Sequence, residues 1–386
     1  MRKQYALKKE IEMKELMKAA RLHKIGEELR TDCVPIPEVG VSDVLIKIKA
    51  SGICHSDLNY RNGVGAVARL PITLGHEIAG TVTEVGDGVL EVTRREKVCV
   101  HYVLSCGECV YCKAGKENLC EKYKMIGKDV DGGFAEYVTV PARNVLKLPD
   151  ATPFEQGALL GCAVSTAFHA LKRARVSAGD TVLVYGVGGV GIHAVQLASR
   201  IFHAGKVIAI DKLDEKLKLA NKLGADDVVN GGKCDPVKRV EETTGGKLAD
   251  VVLEFIGLKV TMQTAMKCLG KGGRMVMVGI GPDDIVVSPY KTVIGKEIEL
   301  IGADDHLKSE MAQLIDLMSA GKIDLSRSIT HRLPLEDVNT GFEILSKGIG
   351  NPLRIVLVQK THVHCADMSR IQSSHFSIST VGSNVL

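Results

Sequence analysis

Hydrophobic and polar positions alternate in the first part of the chain. Residues 44–49 read VLIKIK, a period of two that predicts a β-strand. Turn sequences such as PIP at 35–37 and GDG at 86–88 follow at short intervals. This pattern predicts a β-rich, loop-rich domain over residues 17–163. Residues 1–16 have only a partial apolar stripe and are predicted to be a helical N-terminal extension.

A second pattern begins near residue 164. Short apolar strands alternate there with helical stretches, and the strands are predicted at 181–185, 207–210, 251–255, 274–278 and 298–301. Strict alternation of strand and helix predicts a parallel, doubly wound sheet over 164–300. Two more helices, near 307–320 and 336–346, and a strand at 354–358 return the chain to the first domain, which thus also contains residues 301–359. The Ser/Thr-rich end, 360–386, is predicted to be a disordered tail. The fold class is α/β.

Composition adds limits on the class of protein. The chain has 386 residues, 45% hydrophobic and 25% charged, which suits two globular domains and excludes a mostly disordered chain. There is no apolar run of the roughly 18 residues that a membrane helix needs, and the N-terminus lacks a signal peptide's apolar core, so we expect a cytoplasmic protein with no membrane partner. Net charge is +4, and only +1 belongs to residues 17–359. No nucleic-acid-binding face is therefore expected.

A glycine-rich turn follows the first strand of the second domain. Residues 186–191 read GVGGVG, and Asp211 lies twenty positions after the last glycine, at the end of the next strand. Gly186 allows a tight turn, Gly188 lets the backbone approach a pyrophosphate, and Gly191 lets the helix pack closely on the strand. Because Asp211 can accept both ribose hydroxyls and would repel a 2′-phosphate, the motif predicts NAD rather than NADP. The alternative is a glycine turn that binds nothing.

Eleven cysteines in such a chain indicate metal ligands or reduced thiols rather than disulfides. Four of them lie within fifteen residues, in the pattern C-x2-C-x2-C-x7-C: Cys106, Cys109, Cys112 and Cys120. Four thiolates in one loop can close a tetrahedron around Zn²⁺ and leave no open position, which is typical of a structural site. Unliganded thiols and a nucleic-acid zinc ribbon are the alternatives. Cys33, Cys99, Cys234 and Cys268 have no pairing pattern and are predicted to be free thiols.

Three further segments contain metal-ligand residue types: GICHSD at 52–57, GHE at 75–77 and GCAVST at 161–166. Two cysteines and one histidine would form a Cys₂His site with one open position, the arrangement of a catalytic zinc for alcohol oxidation. In order and spacing, these motifs resemble the zinc-dependent alcohol dehydrogenases of the medium-chain dehydrogenase/reductase superfamily. The resemblance covers residues 17–359. It implies a GroES-like catalytic domain, an inserted Rossmann domain, and a homo-oligomer, either a tetramer or a dimer.

The resemblance also implies roles for single residues. Two zinc ions are expected per subunit, one structural and one catalytic, the latter bound by Cys54, His76 and Cys162. Glu77 would lie behind the zinc and ligate it transiently, Asp57 would orient His76, and Ser56 would accept the alcohol proton. The cofactor contacts would include His55, Arg354 and Lys216, and Tyr102 would form a wall of the substrate pocket.

The function implied is reversible, NAD-linked oxidation of a primary or secondary alcohol to an aldehyde or ketone. A polyol or threonine dehydrogenase of the same superfamily is one alternative, and a non-catalytic zinc protein that keeps the fold is another. A metal-free quinone reductase fits less well because the ligand triad is present. One position departs from the family: Asn59 stands where many relatives have a histidine that ends the proton relay.

Overall fold

The computed structural model describes residues 15–359 and Cys365. Eighteen strands occur in this part of the chain: β1 Leu16–Leu22, β2 Arg30–Pro35, β3 Asp43–Ile53, β4 Ile72–Thr73, β5 Glu77–Val85, β6 Lys97–Val100, β7 Val103–Leu104, β8 Lys124–Met125, β9 Tyr137–Pro141, β10 Val145–Lys147, β11 Thr181–Tyr185, β12 Lys206–Asp211, β13 Asp227–Asn230, β14 Ala249–Glu254, β15 Leu269–Met277, β16 Glu299–Gly302, β17 Ile329–Leu333 and β18 Arg354–Val358. The α-helices are His55–Arg61, Val110–Lys113, Phe154–Leu160, Ala163–Arg173, Gly191–Arg200, Asp214–Leu223, Pro236–Thr243, Lys259–Lys267, Lys308–Ser319 and Val338–Lys347. Short 3₁₀ or π turns cover Glu117–Leu119, Ala142–Asn144, Pro289–Ile294, Ser326–Ser328 and Leu335–Asp337.

The β-rich domain is built mainly on a seven-stranded sheet. Its strands follow the order β10-β6-β5-β3-β18-β17, and β9 also pairs with β3. β3 and β5 are antiparallel, so that the end of β3, which leads to residue 54, lies beside the start of β5 at Glu77. β18 pairs antiparallel with the same end of β3 and places Arg354 nearby. Three segments that are distant in sequence therefore meet at one end of these neighbouring strands.

The second domain is a six-stranded parallel sheet in the order β13-β12-β11-β14-β15-β16. Its central strands β11, β12 and β14 are mostly buried, as expected for a parallel sheet with helices on both faces. The strand order reverses between β11 and β14, where doubly wound sheets bind their ligands at the carboxyl ends of the strands. The glycine turn 186–191 begins where β11 ends, and thus lies at this crevice. The predicted doubly wound sheet is confirmed.

Several predicted boundaries differ from the structure. β1 already begins at Leu16, inside the expected extension, and the last strand of the Rossmann sheet spans Glu299–Gly302, one residue later than the predicted 298–301. Helices also interrupt the β-rich domain, one of them at His55–Arg61. Residues 1–14 and the tail at 360–386, apart from Cys365, lie outside the described residues. Among those that are described, no helix has the length and apolar character that crossing a bilayer requires.

One cysteine prediction was wrong. Cys33, expected to be a free thiol, forms a disulfide with Cys365. No local sequence pattern indicates this disulfide, because Cys33 and Cys365 are 332 residues apart and only the fold brings them together. Cys99, Cys234 and Cys268 are free, as predicted.

Candidate active site

The three segments with metal-ligand residues converge into one buried cluster. Ligand atoms of Cys54, His76, Glu77 and Cys162 all lie within 4.8 Å of one another, and each of these residues is at most 7% exposed. Cys54 immediately precedes the helix that begins at His55, and Cys162 immediately precedes the helix that begins at Ala163. Among the described residues, no group forms a hydrogen bond with the buried Nε2 of His76. A buried nitrogen without a partner is costly, so this donor set fits a metal ion.

Asp57 holds two of these candidate ligands in place. Its Oδ1 atom lies 3.2 Å from Nδ1 of His76, and its Oδ2 atom accepts a hydrogen bond from the backbone N–H of Cys54 at 2.9 Å. The carboxylate thereby selects the tautomer of His76 that leaves Nε2 free to bind a metal. Asp57 is completely buried, and it also accepts a hydrogen bond from the N–H of Gly75.

The Glu77 carboxylate forms an ion pair with Arg354 in addition to its place in the cluster. Oε2 of Glu77 pairs with the guanidinium of Arg354, while Oε1 has no partner among the described residues. Burial raises the pKa of the Glu77 carboxyl to about 6, and the positive charge of Arg354 opposes that rise. Glu77 thus offers one free oxygen to the cluster and links it to β18.

The second cysteine cluster has the dimensions of a zinc tetrahedron. The Sγ atoms of Cys106, Cys109, Cys112 and Cys120 lie within 4.8 Å of one another. The Sγ of Cys112 is 3.9 Å from that of Cys106 and 3.5 Å from that of Cys109. Zn–S bonds of about 2.3 Å in a tetrahedron require an S–S separation of about 3.8 Å. Backbone N–H groups of Cys106 and Lys122 donate to Sγ of Cys120, and the backbone N–H of Cys109 donates to Sγ of Cys106.

This geometry predicts a stability defect on removal of one thiolate. We expect Cys112→Ala to lower Tm by roughly 5–10 °C, because loss of a structural metal ligand belongs to the large destabilising changes. Calorimetry with zinc determination on the same samples measures the effect. Cys234→Ala, which removes an exposed free thiol, is the control. An unchanged Tm for Cys112→Ala would contradict the assignment.

The glycine turn has the shape that a dinucleotide requires. Gly186 has φ +93°, and a side chain at Gly191 would overlap the carbonyl oxygen of Gly186. A side chain at Gly188 would meet open space, so the backbone there is free to be covered by a ligand. Asp211 ends β12 beside this turn and accepts a hydrogen bond from the N–H of Val187 at 3.1 Å.

A cationic residue of the β-rich domain, Arg354, lies beside the turn. A side chain at Gly189 would contact the guanidinium of Arg354, which places that charge beside the predicted pyrophosphate site. The side chain of His55 is exposed. Desolvation lowers the pKa of its imidazole, the negative charge of the Cys54 thiolate raises that pKa, and the positive charges of Arg354 and Lys216 lower it. The positive charges of Arg354 and Lys216 therefore act on His55.

A cavity of about 510 Å³ opens beside the candidate metal site. Ser56 and His76 line it, and so does Tyr102, whose ring packs edge-on against His76 at 5.0 Å between centroids. The hydroxyl of Tyr102 donates to Asp305 at 2.6 Å, and the hydroxyl of Tyr123 donates to the other oxygen of the same carboxylate at 2.6 Å. Burial raises the pKa of both tyrosines, so they remain donors.

The sequence predictions did not include much of this lining. The additional residues come from four separate segments: Tyr60, Tyr111, Asn118, Leu119, Tyr123, Met125, Lys128, Ile280, Asp304 and Asp305. His306, fully buried, packs edge-on against Tyr102 behind the cavity, and burial lowers its pKa well below the usual range. Periodicity and motif spacing carry no signal for such residues, since their proximity depends on loop conformation.

Comparison with known proteins agrees with this geometry. The family "Alcohol dehydrogenase GroES-like domain" matches residues 40–150, and the family "Zinc-binding dehydrogenase" matches residues 189–320. An alcohol dehydrogenase of Geobacillus stearothermophilus is 37% identical over 343 residues, which cover 88% of this chain and 99% of that relative. An NAD-dependent alcohol dehydrogenase of Sulfurisphaera tokodaii is 35% identical and covers 88% of this chain and 100% of its own.

Solved structures agree as well. The crystal structure of the alcohol dehydrogenase of Aeropyrum pernix superposes with a TM-score of 0.81 at 36% identity, over 88% of this chain and 99% of that one. Both domains of the chain are thus matched by zinc-type alcohol dehydrogenases. The chain belongs to the zinc-dependent alcohol dehydrogenases of the medium-chain dehydrogenase/reductase superfamily.

Proposed function

We propose that this protein oxidises a primary or secondary alcohol with NAD⁺ to the aldehyde or ketone, NADH and a proton, reversibly. The observation that carries the proposal is the buried Cys54, His76 and Cys162 cluster, with the unpartnered Nε2 of His76, beside a cavity and the glycine turn. A zinc ion held by these three residues would supply Lewis-acid stabilisation of negative charge on the substrate oxygen. NAD⁺ would supply the hydride acceptor.

The chain's own residues would prepare that chemistry. Asp57 hydrogen-bonds to His76 and to the backbone of Cys54, and the ring of Tyr102 packs edge-on against the imidazole of His76. Ser56 lines the cavity, and its Oγ lies 3.7 Å from Sγ of Cys54, where it can receive the hydroxyl proton of the alcohol.

We also propose two zinc ions per subunit, with the second ion in the closed four-cysteine site, and a homo-oligomer, either a tetramer or a dimer. Large apolar side chains that the single chain leaves exposed on the Rossmann domain support an interface between copies: Leu258, Val260, Ile280, Val286, Tyr290 and Ile294. Light scattering in solution measures the subunit number. The cytoplasmic location stays a prediction.

Initial rates with a panel of alcohols and NAD⁺, before and after zinc chelation, test the proposed activity. Turnover that chelation removes and zinc restores supports it. An enzyme that oxidises no alcohol in the panel would contradict the proposed activity. So would a metal-free preparation that oxidises alcohols as fast as the zinc-loaded enzyme. A polyol or threonine dehydrogenase is the second candidate, and the polar lining of the cavity favours it over enzymes with an apolar pocket.

NAD preference should depend on Asp211. We expect Asp211→Asn to lower kcat/KM with NAD⁺ by roughly 10- to 100-fold, because charge-assisted hydrogen bonds to the ribose hydroxyls are lost, and to narrow the gap to NADP⁺. Asp214→Asn is the matched control, since Asp214 is an acidic residue of the next helix that pairs with Lys233. A wild-type enzyme with higher kcat/KM for NADP⁺ would refute the assignment.

A further inference from the structure

One cation of the cavity wall has no acidic partner. Lys128 is half-buried and lines the same cavity as Ser56 and His76. Among the described residues, no carboxylate forms an ion pair with it, and its ammonium lies 5.8 Å from the ring centroid of Tyr60. Lysines are rarely withdrawn from water without a partner. A half-buried lysine beside a reaction centre is therefore a candidate binding group for substrate.

Lys128 is also held in a fixed position. It belongs to a tight turn in which Asp129 accepts a hydrogen bond from the N–H of Met125, and the N–H of Lys128 donates to the carbonyl of Met125. Its own carbonyl accepts a hydrogen bond from Ala68. The backbone that carries the binding group thus needs little ordering when a ligand arrives, which saves conformational entropy.

The turn is anchored to the candidate zinc site. A side chain at Gly127 would meet the carbonyl oxygen of Gly75 at 2.7 Å, so the backbone before Lys128 packs directly on the residue that precedes His76. Gly127 has φ +84°, which favours glycine and makes this close packing possible. Backbone contacts therefore set the position from which the Lys128 side chain extends into the cavity, relative to the zinc ligands.

The cavity also contains two carboxylates, Asp304 and Asp305, and among the described residues neither forms an ion pair with Lys128. Both oxygens of Asp305 accept hydrogen bonds from tyrosine hydroxyls, of Tyr102 and Tyr123. Asp304 is exposed at the rim. Desolvation and the charge of Asp305 raise the pKa of Asp304, and Lys128 opposes that rise, so the two charges sense each other without forming an ion pair.

This arrangement indicates a class of substrate for the proposed function, on which the inference rests. We infer that the preferred alcohol carries a second, anionic group, a carboxylate or a phosphate, which Lys128 binds while the hydroxyl lies at Ser56 and the zinc site. A cavity of about 510 Å³ has room for such a molecule and is far larger than a short unsubstituted alcohol needs. Simple alcohols would then be poor substrates because they leave Lys128 desolvated and unpaired.

Matched substrates test the inference. Isopropanol is compared with lactate, butan-2-ol with 3-hydroxybutanoate, and pentan-2-ol with 4-hydroxypentanoate, which varies the distance between hydroxyl and carboxylate. Glycerol is compared with glycerol 3-phosphate to distinguish a phosphate from a carboxylate source. We expect kcat/KM to favour one anionic series by roughly 10- to 100-fold, the ratio that a charge-assisted hydrogen bond supplies.

Two lysine variants show whether Lys128 is responsible. Lys128→Met should remove most of the ratio between anionic and neutral substrates, whereas Lys124→Met, which removes an exposed lysine outside the cavity, should leave that ratio unchanged. A ratio that favours neutral alcohols, diols or zwitterions such as threonine overturns the inference. So does a Lys128→Met enzyme that keeps the wild-type ratio.

A binding measurement separates this inference from the proposed function. Calorimetric titration of the NAD⁺-loaded enzyme with butanoate and with its neutral amide, butanamide, reports on the anion site without turnover. Butanoate that binds more tightly than butanamide, with a difference that Lys128→Met abolishes, supports the inference. It does so even if no alcohol is oxidised, because the absence of oxidation would contradict only the proposed activity. Equal binding of the two compounds overturns it even if alcohols are oxidised.

Discussion

Replacing Cys162 by alanine should abolish alcohol oxidation while the protein stays folded. Cys162 supplies one of the two sulfurs of the open cluster and lies just before a buried helix, so its loss removes a ligand without opening a large cavity. Lewis-acid catalysis contributes several kcal/mol to the transition state, and we therefore expect kcat to fall by roughly 10³-fold or more. Initial rates and circular dichroism on the same preparation measure activity and fold together.

Cys268→Ala is the matched control for this variant. Cys268 is as deeply buried but lies in the Rossmann domain, away from the cluster. The control should keep its turnover and lose only the modest stability that a smaller side chain costs. A fully active Cys162→Ala enzyme would mean that the cluster is not the reaction centre.

Replacing Ser56 should have the second largest effect, because the alcohol proton must pass from the buried candidate zinc site to solvent. We expect Ser56→Ala to lower kcat by roughly 10²- to 10⁴-fold, the range of proton transfer by a positioned group. The hydroxyl of Tyr60, one turn later on the same helix, is a poor substitute for that of Ser56. It already donates a hydrogen bond to Sδ of Met125, and burial raises its pKa. Ser56→Thr retains a hydroxyl and should restore most of the rate. Equal losses for Thr and Ala would show that Ser56 has a packing role.

The end of the proton path should be revealed by Asn59→His. Asn59 is half-buried on the helix that carries Ser56, and it does not titrate near neutral pH. An imidazole there has an unperturbed pKa of about 6.5 and accepts protons only when neutral, so kcat should gain an increase as pH rises through that range. The pH–rate profile with a deuterated alcohol keeps hydride transfer visible. An unchanged profile would mean that the proton leaves by another route.

The sequence was sufficient for the parts of the site that depend on local spacing. The four cysteines at 106–120 and the glycines at 186–191 are close in sequence, so their geometry follows from one loop and one turn. The open cluster needed more, because Cys54, His76 and Cys162 are joined only by the pairing of β3 with β5 and by the helix after Cys162. For these the resemblance to a family supplied what spacing alone could not.

The substrate cavity could not be predicted. Lys128, Asp304 and Tyr123 are ordinary polar residues in loops, and nothing in their local sequence distinguishes them from solvated surface positions. Their function depends on the turn at 125–130 and on the segment after β16, whose conformations follow from tertiary hydrogen bonds. The Cys33–Cys365 disulfide was missed for the same reason, since residues 332 positions apart share no local pattern.

The zinc content of the wild type and of the Cys162→Ala and Cys112→Ala variants, measured together with alcohol oxidation, tests the central claim most directly. The two clusters predict two zinc ions per wild-type subunit, with unlike roles. Cys162→Ala should lose one ion and all activity at nearly unchanged Tm, and Cys112→Ala should lose the other ion and its thermal stability. A wild-type subunit with fewer than two zinc ions, or a Cys162→Ala enzyme that keeps both ions and full turnover, would contradict the account.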